Sequence, residues 1–153
     1  MERWQRRMRE IEEGAPGYRV CKAIAPFLQD WIDREKGDIT YRITQMVTGY
    51  GSFKYYLYQI GKVPSPEFRY CGAEEETAEH VLGECVRWSE QREILAGRWE
   101  GDLSLAGVLR RATESEDGWR MFANFCETVM SIKERDEREW QREERARDGA
   151  GVG

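Results

Sequence analysis

The chain has 153 residues, 40% hydrophobic and 12% aromatic, with 35% charged, which supplies apolar mass for one core and too little length for two substantial ones. Its 24 basic and 29 acidic residues give a formal net charge of −5, so no overall field draws it to phosphate and any nucleic-acid contact has to be local. The longest apolar stretches, such as Ala23–Leu28 and Met121–Cys126, fall well short of the roughly 18 to 20 residues of a membrane span.

The opening segment MERWQRRMREIEEG is charged where a signal peptide needs an apolar region, which points to an intracellular setting, nuclear or cytoplasmic, with no membrane partner. Trp4, Met8 and Ile11 stand four and three apart, the spacing of a short amphipathic helix that Gly14 to Gly17 end. From Val20 to Lys36 the positions Val20, Ala23, Ile24, Phe27, Leu28 and Trp31 form a helical stripe, with Pro26 as a kink or first-turn residue. Asp38 is the expected cap of the next helix, whose stripe Ile39, Ile43, Met46 and Val47 runs to the break at Gly49 and Gly51.

Ser52 is the expected cap of a helix carrying Phe53, Tyr56, Leu57 and Ile60, although the run Tyr55 to Ile60 also fits a strand. Gly61, Pro64 and Pro66 then impose an extended loop over Lys62 to Arg69. A helical segment begins at Thr77, another spans Val86 to Trp99, and Gly101 and Asp102 separate these from a shorter helix near Leu103 to Arg111. Ser115 caps the last helix, with Trp119, Phe122, Phe125, Cys126, Val129, Met130 and Ile132 on its buried face.

Beyond Ile132 the apolar stripe fades into KERDEREWQREERAR, whose alternating charges at i,i+4 suit a solvated helix. The expectation is therefore a mainly α fold: a helical domain over 1–132 with a Cys/His knuckle-like loop, then a charged helical extension and tail over 133–153. At least five helices are expected. Trp31, Ile43, Leu57, Val81, Leu95, Phe122 and Phe125 are the predicted buried set. No repeat at a period of 20 to 50 residues is present.

His80 is the single histidine, and it stands between Cys71 and Cys85 in the pattern C-x8-H-x4-C. Two soft sulfurs and an imidazole are zinc ligands, and Gly72 suits the tight turn such a site needs. A structural site takes four ligands. The usual C-x2-C spacing ahead of Cys71 puts the fourth at position 68, which is Phe68. Glu75, Glu76, Glu84 or a water would have to complete the set. The same three residues also fit a packed cluster without metal, two small apolar thiols beside a satisfied imidazole. Cys21 and Cys126, on apolar helical faces, read as core residues. No spacing nominates a catalytic acid, base or nucleophile, and nothing suggests a small-molecule substrate.

The segments ITYRITQMVTGYGSFKYYLYQIGKVPSP and YCGAEEETAEHVLGECVRW resemble the carboxy-terminal region of non-LTR retrotransposon (LINE-type) polyproteins, which encode an RNA-directed DNA polymerase, the reverse transcriptase. The family pattern is a Thr-Gly-His-Gly turn, an aromatic-rich helix ending in Tyr-Leu, a C-x2-C pair, an acidic stretch, Ala-Glu-His, and a last Cys before an aromatic residue. The chain keeps Thr48, Gly49, Gly51, Tyr56, Leu57, Cys71, Ala78, Glu79, His80, Cys85 and Trp88. It departs from the pattern at Phe68 and at Tyr50, where the turn histidine would stand.

The resemblance implies a zinc-knuckle accessory fragment of a transposable element that helps hold RNA or target DNA, with the rest of the polyprotein as a partner. It implies no catalysis by the fragment, since the polymerase's paired aspartates do not occur anywhere in this sequence. Lys54, Lys62, Arg69 and Arg87, near Phe53, Tyr55 and Tyr70, are the candidate nucleic-acid contacts through phosphate pairing and base stacking. The alternative is a helical protein-interaction or scaffold module using Trp140 on an exposed helix, or a decayed copy with no selected function.

Overall fold

A computed structural model describes residues 1–35, 37–66, 69–96 and 103–151. Phe68, Trp99, Gly101 and Asp102 fall outside them. The described residues form helices and connecting turns with no strand, which resolves the Tyr55 to Ile60 ambiguity in favour of helix.

The first helix, α1 (Glu2–Arg9), buries none of its residues and leans on α2 (Tyr18–Ile24). Pro26 opens a single 3-10 turn, Ala25–Phe27, between α2 and α3 (Leu28–Asp33). The ring supplies the fixed φ of a helix start and removes the N–H that would continue α2. Next comes α4 (Tyr41–Thr48), and its cap is Thr40, not Asp38: the Thr40 hydroxyl accepts from the Ile43 N–H at 3.2 Å. Gly49 ends α4 at φ 76°, a left-handed conformation that favours glycine.

Ser52 likewise gives up its expected role. Helix α5 (Lys54–Gln59) starts at Phe53 with no local side-chain cap, and Glu76, from a loop further along the chain, takes its first donors. The Glu76 carboxylate accepts from the Lys54 N–H at 3.2 Å and its carbonyl from the Tyr55 N–H at 3.1 Å. Residues 62–66 and 69–70 are turn and loop, as Pro64 and Pro66 require. Thr77 caps α6 (Ala78–Gly83) through the His80 N–H at 3.3 Å. A 3-10 turn, Val86–Trp88, leads into α7 (Ser89–Ala96).

Helix α8 (Leu105–Glu114) starts at Ser104, whose hydroxyl accepts from the Gly107 N–H at 3.2 Å. Ser115 caps α9 (Glu116–Ala150) from the Gly118 N–H at 2.9 Å. The 35 residues of α9 form the spine: α4, α7 and α8 all pack on it. Around its first half gather Ile43, Met46, Val81, Leu82, Trp88, Leu95, Val108 and Leu109 with Phe122, Cys126, Val129 and Met130, each almost fully buried. A side chain of this kind contributes about 1.5–3 kcal/mol on leaving water.

Of the predicted buried set, Ile43, Val81, Leu95, Phe122 and Phe125 are buried, while Trp31 and Leu57 are half-buried. Trp31 lies at the rim, its ring 5.7 Å from Trp119 with the Arg34 guanidinium 4.3 Å above it. Helix α5 meets the core at its start, where Phe53 and Lys54 are buried, and through Tyr56, while Leu57 is half-covered and Ile60 is exposed. In α7 the core-facing residue is Leu95, and Ile94 is 70% exposed.

Ile132, after which the charged helical extension is expected to begin, lies inside α9. Lys133 and Glu137, beyond it, are buried. At Gly118 the start of α9 lies tight against α8, since a Cβ there would stand 2.8 Å from the Arg111 carbonyl. No helix among the described residues is long and apolar enough to cross a membrane.

Candidate metal centre

The loop ahead of α6 brings Cys71 back onto the helix that carries His80. Gly72, at φ 69°, makes the turn directly after the cysteine. Tyr70, directly before it, is wedged between two tryptophans: its ring lies 5.4 Å from Trp88 and 5.2 Å from Trp140. Its hydroxyl donates to Asp136 on α9 at 2.5 Å. Burial, reinforced by that carboxylate, pushes the Tyr70 phenol far above its ordinary value, so it stays a donor.

Cys85 is delivered by the end of α6, where the His80 carbonyl accepts from the Glu84 N–H at 2.9 Å and the Cys85 N–H at 2.8 Å. Carbonyls at the C-terminus of α6 and just beyond it are gathered by one side chain. The Arg92 guanidinium donates to Val81 at 3.1 Å, Leu82 at 3.0 Å and Cys85 at 2.9 Å. A cation against a helix C-terminus is favourable on charge as well as on hydrogen bonding.

These two supports bring the expected cluster together. The sulfurs of Cys71 and Cys85 and a ring nitrogen of His80 all lie within 4.8 Å of one another. The Cys71 Sγ is 3.2 Å from His80 Nε2, and Glu84 Oε2 is 3.5 Å from His80 Nδ1. The imidazole thus turns one nitrogen to the sulfurs and the other to a carboxylate, the outer-shell arrangement that orients a metal-binding histidine. Cys71 is exposed, His80 half-buried and Cys85 buried.

Burial pushes the Cys85 thiol up to about 11, and the neighbouring Cys71 adds to the shift. The backbone N–H of Arg87 donates to the Cys85 sulfur and works in the opposite direction. Zinc–sulfur bonds of about 2.3 Å and zinc–nitrogen bonds of about 2.0 Å would hold such ligands somewhat under 4 Å apart. The donor set and its spacing fit zinc with small side-chain rotations. Glu76 is unavailable as a fourth ligand, being tied to Lys133 and to the start of α5, and Glu84 sits on the far nitrogen of the ring.

Behind the loop lies a set of buried charges that the sequence did not single out. Lys133 pairs with Glu76 at 3% and 2% side-chain exposure, and Lys54 pairs with Glu137 at 2.8 Å and 7% and 11%. Burial pushes the Lys133 ammonium down to about 7, against the pull of the Glu137 and Asp136 carboxylates. Phe53 and Tyr70 flank the Lys133 ammonium. Two carboxylates and two ammoniums thereby fasten the start of α5 and the loop before α6 to the second half of α9.

The four candidate nucleic-acid contacts divide. Lys54 is buried against Glu137, so its ammonium is not presented to a phosphate. Arg69 pairs with Glu144 and lies 4.9 Å from the Trp140 ring. Arg87 is exposed and stacks over Trp88 and Tyr70, and Lys62 is exposed. Trp140, expected on an open helix face, is instead half-buried under Tyr70, Arg69 and Lys54. The residues of α6 that precede His80 line a cleft of about 280 Å³ whose other walls include Tyr18, Tyr50, Tyr55 and Tyr56. Comparison with family models, with curated proteins and with solved structures finds no match.

Proposed function

We propose that the chain is a zinc-binding accessory domain, the carboxy-terminal piece of a non-LTR retrotransposon polyprotein, which assists RNA or target-DNA binding and performs no catalysis of its own. The observation that carries this reading is the convergence of Cys71, His80 and Cys85 from three separate points of the chain to within 4.8 Å. Zinc supplies a cross-link here: it ties the loop at Cys71 to both ends of the α6 turn, and its binding free energy adds to folding free energy. His80 binds through Nε2, Glu84 orients the ring, and Arg92 holds the Cys85 backbone in place.

Contact with nucleic acid falls to Arg87 and Lys62 for phosphate and to the tyrosine-lined cleft beside α6 for an unpaired base. With a formal charge of −5, the domain adds local contacts to a partner's affinity and supplies little long-range attraction. The test is the metal content of the purified chain, followed by thermal unfolding with and without chelator. One equivalent of zinc and a lower Tm after chelation are expected. Titration of a labelled single-stranded RNA and of duplex DNA then asks for binding that Arg87→Ala weakens. A chain that takes up no zinc and whose Tm ignores chelator does not fit this reading.

A further inference from the structure

The two sulfurs in the cluster differ in a way that metal binding does not require. Cys71 is exposed, 3.2 Å from an imidazole nitrogen, while Cys85 is 1% exposed and lies directly behind it. Their sulfurs are within 4.8 Å, and a disulfide bond of about 2.05 Å asks them to close the rest of that gap. The other two thiols stand outside this cluster. Cys126 is fully buried in the core, and Cys21 stands on α2 among helical neighbours.

We propose that Cys71 and Cys85 form a peroxide-oxidised disulfide site, with Cys71 the attacking and Cys85 the resolving thiol, and that oxidation and zinc compete for the same two sulfurs. The competition with zinc rests on the metal reading above; the disulfide itself does not. In the first step the Cys71 sulfur attacks one oxygen of hydrogen peroxide. The S–O bond forms, the O–O bond breaks, and the departing hydroxide takes the Cys71 proton, held on the way by His80 Nε2, to leave as water. Cys71 is then a sulfenic acid.

In the second step the Cys85 sulfur attacks the Cys71 sulfur. The S–S bond forms, the S–O bond breaks, and the hydroxide leaves with the Cys85 proton as a second water. Two thiols and one peroxide thus become one disulfide and two waters, the sulfurs losing the two electrons that the peroxide accepts. The order is fixed by access, since solvent reaches Cys71 and not Cys85. A disulfide offers zinc no thiolate, and a zinc-bound thiolate gives an electron pair to the metal and attacks peroxide less readily, so each state opposes the other.

Peptide mapping of the full chain tests this directly. Trypsin cuts after Arg69 and Arg87, so residues 70–87 carry both cysteines on one peptide. After treatment of metal-free protein with about one equivalent of hydrogen peroxide, this peptide is expected about 2 Da lighter, restored by dithiothreitol. A glutamate-specific protease then cuts between the cysteines and leaves two pieces joined until reduction. Cys85→Ser should stop at a Cys71 sulfenic acid that dimedone traps, and Cys71→Ser should give neither product.

Protein loaded with zinc beforehand should resist the same dose, and excess peroxide should release one equivalent of zinc as the disulfide appears. A disulfide in a chain that takes up no zinc sustains the redox site and removes the metal reading. Sulfinic acid at Cys71 with Cys85 unchanged, linkage of Cys71 to a second chain, or an oxidised protein that keeps its zinc would overturn the proposal. The wild-type mapping does not depend on either variant folding.

Discussion

Substitution of Glu76 by glutamine isolates the buried charges that fasten α9 to the cysteine loop. Glutamine preserves the shape and an oxygen to accept the Lys54 N–H, now made at 3.2 Å, but removes the charge against Lys133. That ammonium then remains at 3% exposure with Phe53 and Tyr70 beside it and only the shared attraction of Glu137 and Asp136. Breaking a buried pair from one side costs about 3–5 kcal/mol, and Glu137 places this case at the lower end. At about 2.1 cal/mol/K per residue, unfolding 153 residues carries an entropy of about 320 cal/mol/K, so about 3 kcal/mol lowers Tm by about 9 °C. The double variant Glu76→Gln with Lys133→Met removes both charges and should recover most of that loss. Urea and thermal denaturation of the two single variants and the double complete the cycle. A Glu76→Gln loss below about 1 kcal/mol, or a double variant as unstable as the two single losses added, would refute the claim that these charges stabilise each other across the interface.

Zinc binding has to expel the Cys85 proton, which burial holds up to about 11; apparent affinity should therefore rise by at least about tenfold between pH 7 and 8, as competition with a chromogenic chelator would show. Replacing Phe68 with cysteine supplies the ligand that the C-x2-C spacing calls for, and each tenfold gain in zinc affinity should add about 1.4 kcal/mol of stability under saturating metal. An unchanged Kd and Tm would dissociate position 68 from the site. Gly37→Ala puts a methyl group 2.7 Å from the Trp119 ring at a φ of 121° that suits glycine, so a loss of about 1–3 kcal/mol with altered tryptophan emission is expected in equilibrium unfolding.

The helices were legible because their punctuation is chemical. Gly49 supplies a left-handed stop, Pro26 fixes a first turn and Ser115 accepts from the Gly118 N–H, each through local bonds that a sequence displays. The convergence of Cys71, His80 and Cys85 was legible in the same way, from residue types and spacing. Capping by Glu76 was not, because the acceptor comes from a loop remote in sequence, and Ser52 offered a plausible local substitute. Lys133 and Glu137 stand at i,i+4 on a charged helix, a pattern identical to that of a solvated pair until Glu76 and Lys54 arrive from elsewhere. Trp140 followed the same error: a tryptophan among arginines and glutamates reads as exposed unless Tyr70 is known to meet it.

A single rod that serves two clients ties them by angle. Helix α9 runs about 52 Å at about 1.5 Å per residue, with Phe122 to Met130 meshed in the helical core and Lys133 to Trp140 meshed with the cysteine loop. One residue inserted near Ile132 would turn the second set by about 100° relative to the first. Glu76 and Lys54 would then face the wrong side of the rod while the core stayed seated. Seven inserted residues would return the phase to within about 20° but carry the second set about 10 Å along the axis, past the loop it holds. The spacing between Met130 and Lys133 therefore works as a gear tooth: side chains on either side are open to exchange within their own neighbourhoods, but the number of residues between them is not.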